Sequence, residues 1–185
     1  MKTFKIGSTD IFLDNYEKEG QGKITISDSW RGAYTCFWGS MGGTLEEFIC
    51  RISSDYFADK LCKNNYVFDA KKSATQIRKF IRRECSYELP WYKYLGLQSE
   101  LRSLINQLEY CSDDREFVDM CMSIPKRVIG YTSTIQEDNE FSQIITPIFT
   151  EEPWHFIATE LSSEYKWIKL LHKDIKKLII KSQHQ

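Results

Sequence analysis

The sequence predicts an α+β fold: an N-terminal antiparallel three-stranded meander, then a mainly helical body ending in a long C-terminal helix. Three observations predict it. Strand formers alternate in the N-terminal segment, most clearly in "KITISDS", where Ile24 and Ile26 share one face. After Thr44 the apolar period lengthens to that of a helix, through Leu45, Phe48, Ile49 and Ile52. Near the other end apolar residues recur at helical spacing from Trp154 to Leu178. A chain of 185 residues, 42% apolar and 28% charged, suits a single globular domain, divided into a meander over residues 1–43 and a helical part over 44–185.

The elements follow in order. Phe4, Ile6, Ile11 and Leu13 alternate imperfectly and make the first strand run; "NYEKEGQG" is a hairpin loop, and "KITISDS" and "GAYTCFW" are the second and third strands. Thr44 and Glu47 spell a capping box, in which each side chain satisfies the other residue's free backbone N–H. "SDYFADKL" reads as a short helix with Tyr56, Phe57 and Leu61 turned inward. A third helix starts near "SATQ", with Ser73 and Gln76 as a second capping box and Ala74, Ile77, Ile81 and Cys85 on its apolar side. Pro90 breaks it, because proline lacks an N–H and restricts Leu89 before it. "LQSELRSLINQLEY" is amphipathic through Leu97, Leu101, Leu104, Ile105 and Leu108, and "DDREFVDMCMS" is a helix capped by Asp113 or Asp114. From Pro125 to Thr150 the pattern is poor, and "RVIGYTSTI" fits a strand or a loop. Thr150 starts the last helix, Pro153 is tolerated in its first turn, and Glu151 and Glu152 suit the positive end of its dipole.

Composition narrows the function classes. No apolar run approaches the roughly 20 residues of a membrane span, and the N-terminus lacks the apolar core of a secretion signal. These features point to the cytoplasm. The six cysteines show no paired zinc-knuckle spacing and sit among apolar neighbours, as small hydrophobes do. "GSMGGT" lacks the lysine and spacing of a phosphate loop, and Glu46 and Glu47 would repel an anion from the helix that follows. Its glycines serve the turn. Ser40 is outside any nucleophile elbow. Asp113, Asp114, Glu116 and Asp119 lack the glycine and alternation of a calcium loop, so they read as a solvated helix start. No catalytic residue, metal ligand or cofactor is expected. A Cys or Ser hydrolase using His155 stays as the enzymatic alternative.

Charge is segregated although the net is only −1. Lys71, Lys72, Arg78, Lys79, Arg82 and Arg83 form six cations with no acid among them. Arg78 and Arg82, and Lys79 and Arg83, are four apart and so form adjacent rows on a helix, at some cost from like-charge repulsion. Tyr87, Trp91, Tyr92 and Tyr94 follow, around Lys93. Cations beside flat rings are what single-stranded nucleic acid requires, phosphates meeting Lys and Arg while bases stack on aromatics. From Val128 to Tyr165 there are seven acids and no Lys or Arg, and a second basic cluster follows from Lys166 to Lys181. Patches of both signs suit a partner that itself carries both, such as a nucleoprotein, or pairing within the fold.

The stretch from Ile24 to Leu61 resembles a group of small phage and prophage proteins. The shared pattern is a strand, a Trp-Gly-x-Met-Gly turn at Trp38, Gly39, Met41 and Gly42, and a "DYFADKL"-like helix with Asp55, Tyr56, Phe57, Lys60 and Leu61. The resemblance implies an origin in mobile DNA and brings no catalytic residue to carry across. Small phage proteins of this kind often act by binding, and anti-CRISPR proteins are the familiar case. The expected function is therefore a non-enzymatic inhibitor of a host defence nucleoprotein, bound through an effector protein or its guide RNA. The alternative is a stand-alone protein that binds single-stranded RNA or DNA.

Overall fold

Gly7 stands at φ +59°, a conformation that L side chains rarely adopt, and it folds the first apolar run back on itself. The computed structural model describes residues 1–84, 95–129 and 135–183. Its N-terminal sheet has four antiparallel strands rather than three: β1 (Lys2–Ile6), β2 (Thr9–Asn15), β3 (Gly22–Asp28) and β4 (Gly32–Trp38), bonded in that order. Ile6 pairs with Thr9 across Gly7 and Ser8, a two-residue hairpin whose first central position calls for glycine. The imperfect alternation of Phe4, Ile6, Ile11 and Leu13 is the trace of that turn.

The helices are α1 (Leu45–Arg51), α2 (Ser54–Leu61), α3 (Ala70–Glu84), α4 (Leu95–Gln107), α5 (Asp114–Ile129), α6 (Ile135–Thr150) and α7 (Ser163–Gln183). Strands β5 (Tyr66–Phe68) and β6 (Thr159–Leu161) pair as a separate two-stranded sheet. The chain parts into two compact units, one of Met1–Val67 with Leu161–Gln185 and one of Phe68–Glu160.

In the first unit Ile11, Leu13, Ile24 and Ile26 are fully buried from one face of the sheet, in one cluster with Leu45 and Ile49 of α1, Phe57 of α2 and Ile168 and Ile175 of α7. Thr44 and Glu47 make the capping box, and the Leu45 N–H donates to Asn15 Oδ1 at 2.7 Å. Gly43, at φ +147°, leaves room for the Glu47 carboxylate, which a Cβ there would meet at 2.5 Å. Tyr56 is more exposed than its position suggests. It packs beside Phe48 and under the Lys60 ammonium, while Phe57 and Leu61 are buried.

His172 of α7 has no solvent exposure and stacks on Phe57 at 4.3 Å. Its Nε2 lies 3.0 Å from the Ile49 carbonyl, which can only accept, so Nε2 carries the proton and Nδ1 accepts from Ser54 Oγ at 2.9 Å. One turn on, Lys176 Nζ donates to the Ile52 carbonyl at 2.6 Å, so α7 satisfies the C-terminal end of α1 and complements its dipole.

In the second unit α3 starts at Ala70, earlier than the "SATQ" capping box implies, with Asp69 Oδ1 accepting from the Lys72 N–H at 2.9 Å. Ser73 lies inside the helix, fully buried. Its Oγ donates to the Asp69 carbonyl and accepts from the Ala158 N–H, each at 2.8 Å. Asp113 Oδ1 caps α5 through the Glu116 N–H at 2.8 Å. The helix then runs through Pro125 to Ile129, because buried Ile124 and Val128 hold both sides of the interruption. Of "RVIGYTSTI", Arg127, Val128 and Ile129 end α5, Ile135 begins α6, and residues 130–134 lie outside the described ones.

The last helix is shorter than the apolar spacing predicts. Thr150 ends α6, Pro153–Phe156 form a 3-10 turn, Thr159–Leu161 form β6, and α7 begins only at Ser163. Ser162 is its cap, its buried Oγ accepting from the Tyr165 N–H at 3.0 Å. Trp154, at 60% exposure, shares the spacing of the stripe without sharing its burial.

Burial depresses the His172 pKa from 6.5 to about 4, and Lys176 adds to the effect. As pH falls below 6.5 the unfolded chain takes up a proton that the folded chain excludes until about pH 4, so this stability is present above that window and lost through it. Denaturant unfolding at about pH 7.5 and about pH 5 should differ by about 2 kcal/mol from this group, and His172→Gln should flatten the difference. Ser73→Ala should cost about 1–3 kcal/mol in the same assay, since it strands the buried Ala158 N–H.

Candidate functional site

The buried side of α3 decides which of its cations reach solvent. Ala74, Ile77 and Ile81 face the core, which leaves Lys71, Lys79, Arg82 and Arg83 exposed. Of the six predicted site cations, Lys72 and Arg78 make ion pairs inside the unit. Lys72 Nζ lies 2.7 Å from Asp69 Oδ2 and 3.9 Å from Glu160 Oε2. That hydrogen bond with Asp69 holds the Lys72 pKa up and the Asp69 pKa down. Arg78 forms an ion pair with Glu109 and donates to Asn106 Oδ1 at 2.8 Å, tying α3 to the last turn of α4 and the segment that follows it. Tyr87, Trp91, Tyr92, Lys93 and Tyr94, the aromatic half of the predicted site, lie outside the described residues.

Two concave surfaces flank α3. The groove between α3 and α4, about 410 Å³, has Ile81, Leu101 and Ile105 at its base and Arg78, Arg82, Arg102 and Gln98 along its sides, with no acid among its described lining residues. The sequence reading missed Arg102 and Gln98, although their spacing of four beside the Leu101 and Ile105 stripe is visible in the sequence. On the other side is a cleft of about 710 Å³. Lys79 and Arg83 face Glu151, Glu152 and His155 across it, over Phe80 and Phe156. The two signs that the sequence keeps apart meet there.

His155 is exposed, and its Nδ1 lies 2.7 Å from Glu152 Oε2. No serine or cysteine is among the described residues that line this cleft. The five described free thiols, Cys36, Cys50, Cys62, Cys111 and Cys121, all have pKa values raised by burial, Cys62 to about 11 and Cys121 to about 12. Such thiols stay protonated and are poor nucleophiles at neutral pH. The glycine-rich turn before α1 is likewise occupied. Its Thr44, Leu45 and Glu47 N–H groups donate to Glu47, Asn15 and Thr44 side chains, which leaves those three donors engaged within the fold. The acid cluster at the start of α5 also works locally, with Glu116 accepting from Ser112 N–H and Oγ.

The second basic cluster is partly consumed. Lys169 pairs with Asp55, Lys176 holds the Ile52 carbonyl, and Lys177 pairs with Asp174 at 2.8 Å.

The profile of a phage protein family, phiTE_072, matches residues 2–181. The chain belongs to that phage family. The match extends far beyond the Ile24–Leu61 stretch that carried the resemblance, and it takes in both units. No curated protein and no solved structure matches this family member. Among its described residues no helix is long and apolar enough to cross a membrane.

The split among the cations is measurable. Arg78→Glu should lower the denaturation midpoint, losing about 1 kcal/mol through its half-buried pair with Glu109. Arg82→Glu, at an exposed position, should leave the midpoint within error.

Proposed function

We propose that this phage-family protein acts by binding rather than by catalysis, and that its target is a host defence nucleoprotein in the manner of an anti-CRISPR inhibitor. The observation that carries the reading is the α3–α4 groove, with the Arg82 and Arg102 guanidinium groups along its sides, an apolar base and no acid among its described lining residues. Guanidinium groups bind phosphate through several donors held in one plane, and an apolar base receives a nucleobase or an apolar side chain without stranding a polar group. Exposed Lys71, Lys79 and Arg83 extend the positive surface along α3. Membership in a phage family supports a host-directed role, and the raised thiol pKa values favour binding over nucleophilic chemistry.

Affinity capture from a host lysate, with and without nuclease, tests the proposal. The double variant Lys79→Glu with Arg82→Glu should retain the fold and lose capture at least tenfold. Unchanged capture would remove α3 from the interface. Binding to bare single-stranded oligonucleotide, weakening steeply with salt, would instead favour the stand-alone nucleic-acid reading.

A further inference from the structure

The four-stranded sheet has two edges, and they differ. β1 carries Lys2 and Lys5, the charged kind of edge that discourages strand addition. β4 reads Gly-Ala-Tyr-Thr-Cys-Phe-Trp over seven residues, with no charge and no proline. It pairs only with β3, and among the described residues no backbone group bonds to its other side. Ala33, Thr35 and Phe37 are exposed on it. The surrounding rings are exposed too: Phe37 at 52%, Tyr16 against it at a centroid distance of 5.6 Å, and Trp30 at the tip of the β3–β4 loop at 88%. An uncharged edge strand with its hydrogen-bonding row open is a template for another strand.

We infer that β4 is a homodimerisation edge, pairing antiparallel with β4 of a second copy across a two-fold axis at Thr35 to make one continuous eight-stranded sheet. The order of side chains favours a copy of this chain over an unrelated peptide. With Thr35 opposite Thr35 of the copy, Phe37 stands opposite Ala33, Tyr34 opposite Cys36, and Trp38 opposite Gly32. Every bulky residue meets a smaller one, on both faces of the joined sheet, and no charge meets a like charge. A two-fold pairing is self-complementary in this way by construction, so one sequence satisfies both sides. The same register runs the Trp30 loop toward the end of the copy's strand where Phe37 stands, which takes exposed rings out of water. The inference is independent of the α3 reading, since β4 belongs to the other unit.

Sedimentation of the full chain over a range of concentrations tests it. The wild type should show a reversible monomer–dimer equilibrium. Thr35→Lys should weaken the dimer roughly tenfold or more by placing two ammonium groups across the axis, with an unchanged circular dichroism spectrum. Mixing Thr35→Lys with Thr35→Glu should restore a one-to-one dimer, which only a β4–β4 contact explains. Phe37→Lys, at an exposed position, should also weaken the dimer and guards against a folding defect at Thr35. A wild type that stays monomeric, or lysine variants that dimerise as the wild type does, would overturn the inference.

Discussion

The imidazole of His172 lies out of contact with water, stacked on Phe57 and hydrogen-bonded to Ile49 and Ser54, and the first unit is organised around it. A ring with both nitrogens bonded inside a core allows one tautomer, one protonation state and one rotational setting of the helix that carries it. Setting α7 in that way also sets Lys176 on the Ile52 carbonyl and Ile168 and Ile175 among the isoleucines of β2 and β3. The sheet buries one face and leaves the other to solvent, and α7 supplies much of what covers the buried one. The apolar burial provides the driving force, and the polar contacts choose one packing from several that would bury similar area.

In the second unit α3 carries two kinds of cation at once. Like charges at helical spacing repel, and the fold offsets part of that repulsion by giving Lys72 and Arg78 to Asp69, Glu160 and Glu109. The cations left at the surface belong to a helix whose position is already fixed by Ala74, Ile77, Ile81 and Ser73. Their charge therefore sits on a rigid support. A partner that neutralises it would not have to order a loop first, which removes one entropic cost of association.

Local chemistry was legible in the sequence, and long-range choices were not. The Thr44 capping box, the "SDYFADKL" helix and the Asp113 cap depend on neighbours within a turn, and each forms as read. Gly7 was missed because a two-residue turn inside an apolar run leaves the alternation almost intact. Trp154, Ile157 and Leu161 continue the period of α7 by coincidence, since spacing alone cannot separate a helix from a 3-10 turn followed by a strand. Tyr56 has the spacing of a core residue and the surroundings of a surface one. At the site, the cationic character of α3 was readable, but the removal of Arg78 was not, because Glu109 is remote in the chain, whereas Lys72 pairs with Asp69, three residues before it and just outside the cationic run.

The second unit is one continuous segment, whereas the first is assembled from two separated ones. During translation, Phe68–Glu160 leaves the ribosome whole and can complete its core at once. The N-terminal sheet emerges earlier yet must wait for α7, and with it His172, before its apolar face is covered. Vectorial synthesis thus leaves a nascent sheet exposed to chaperones for the time that the intervening segment takes to be made.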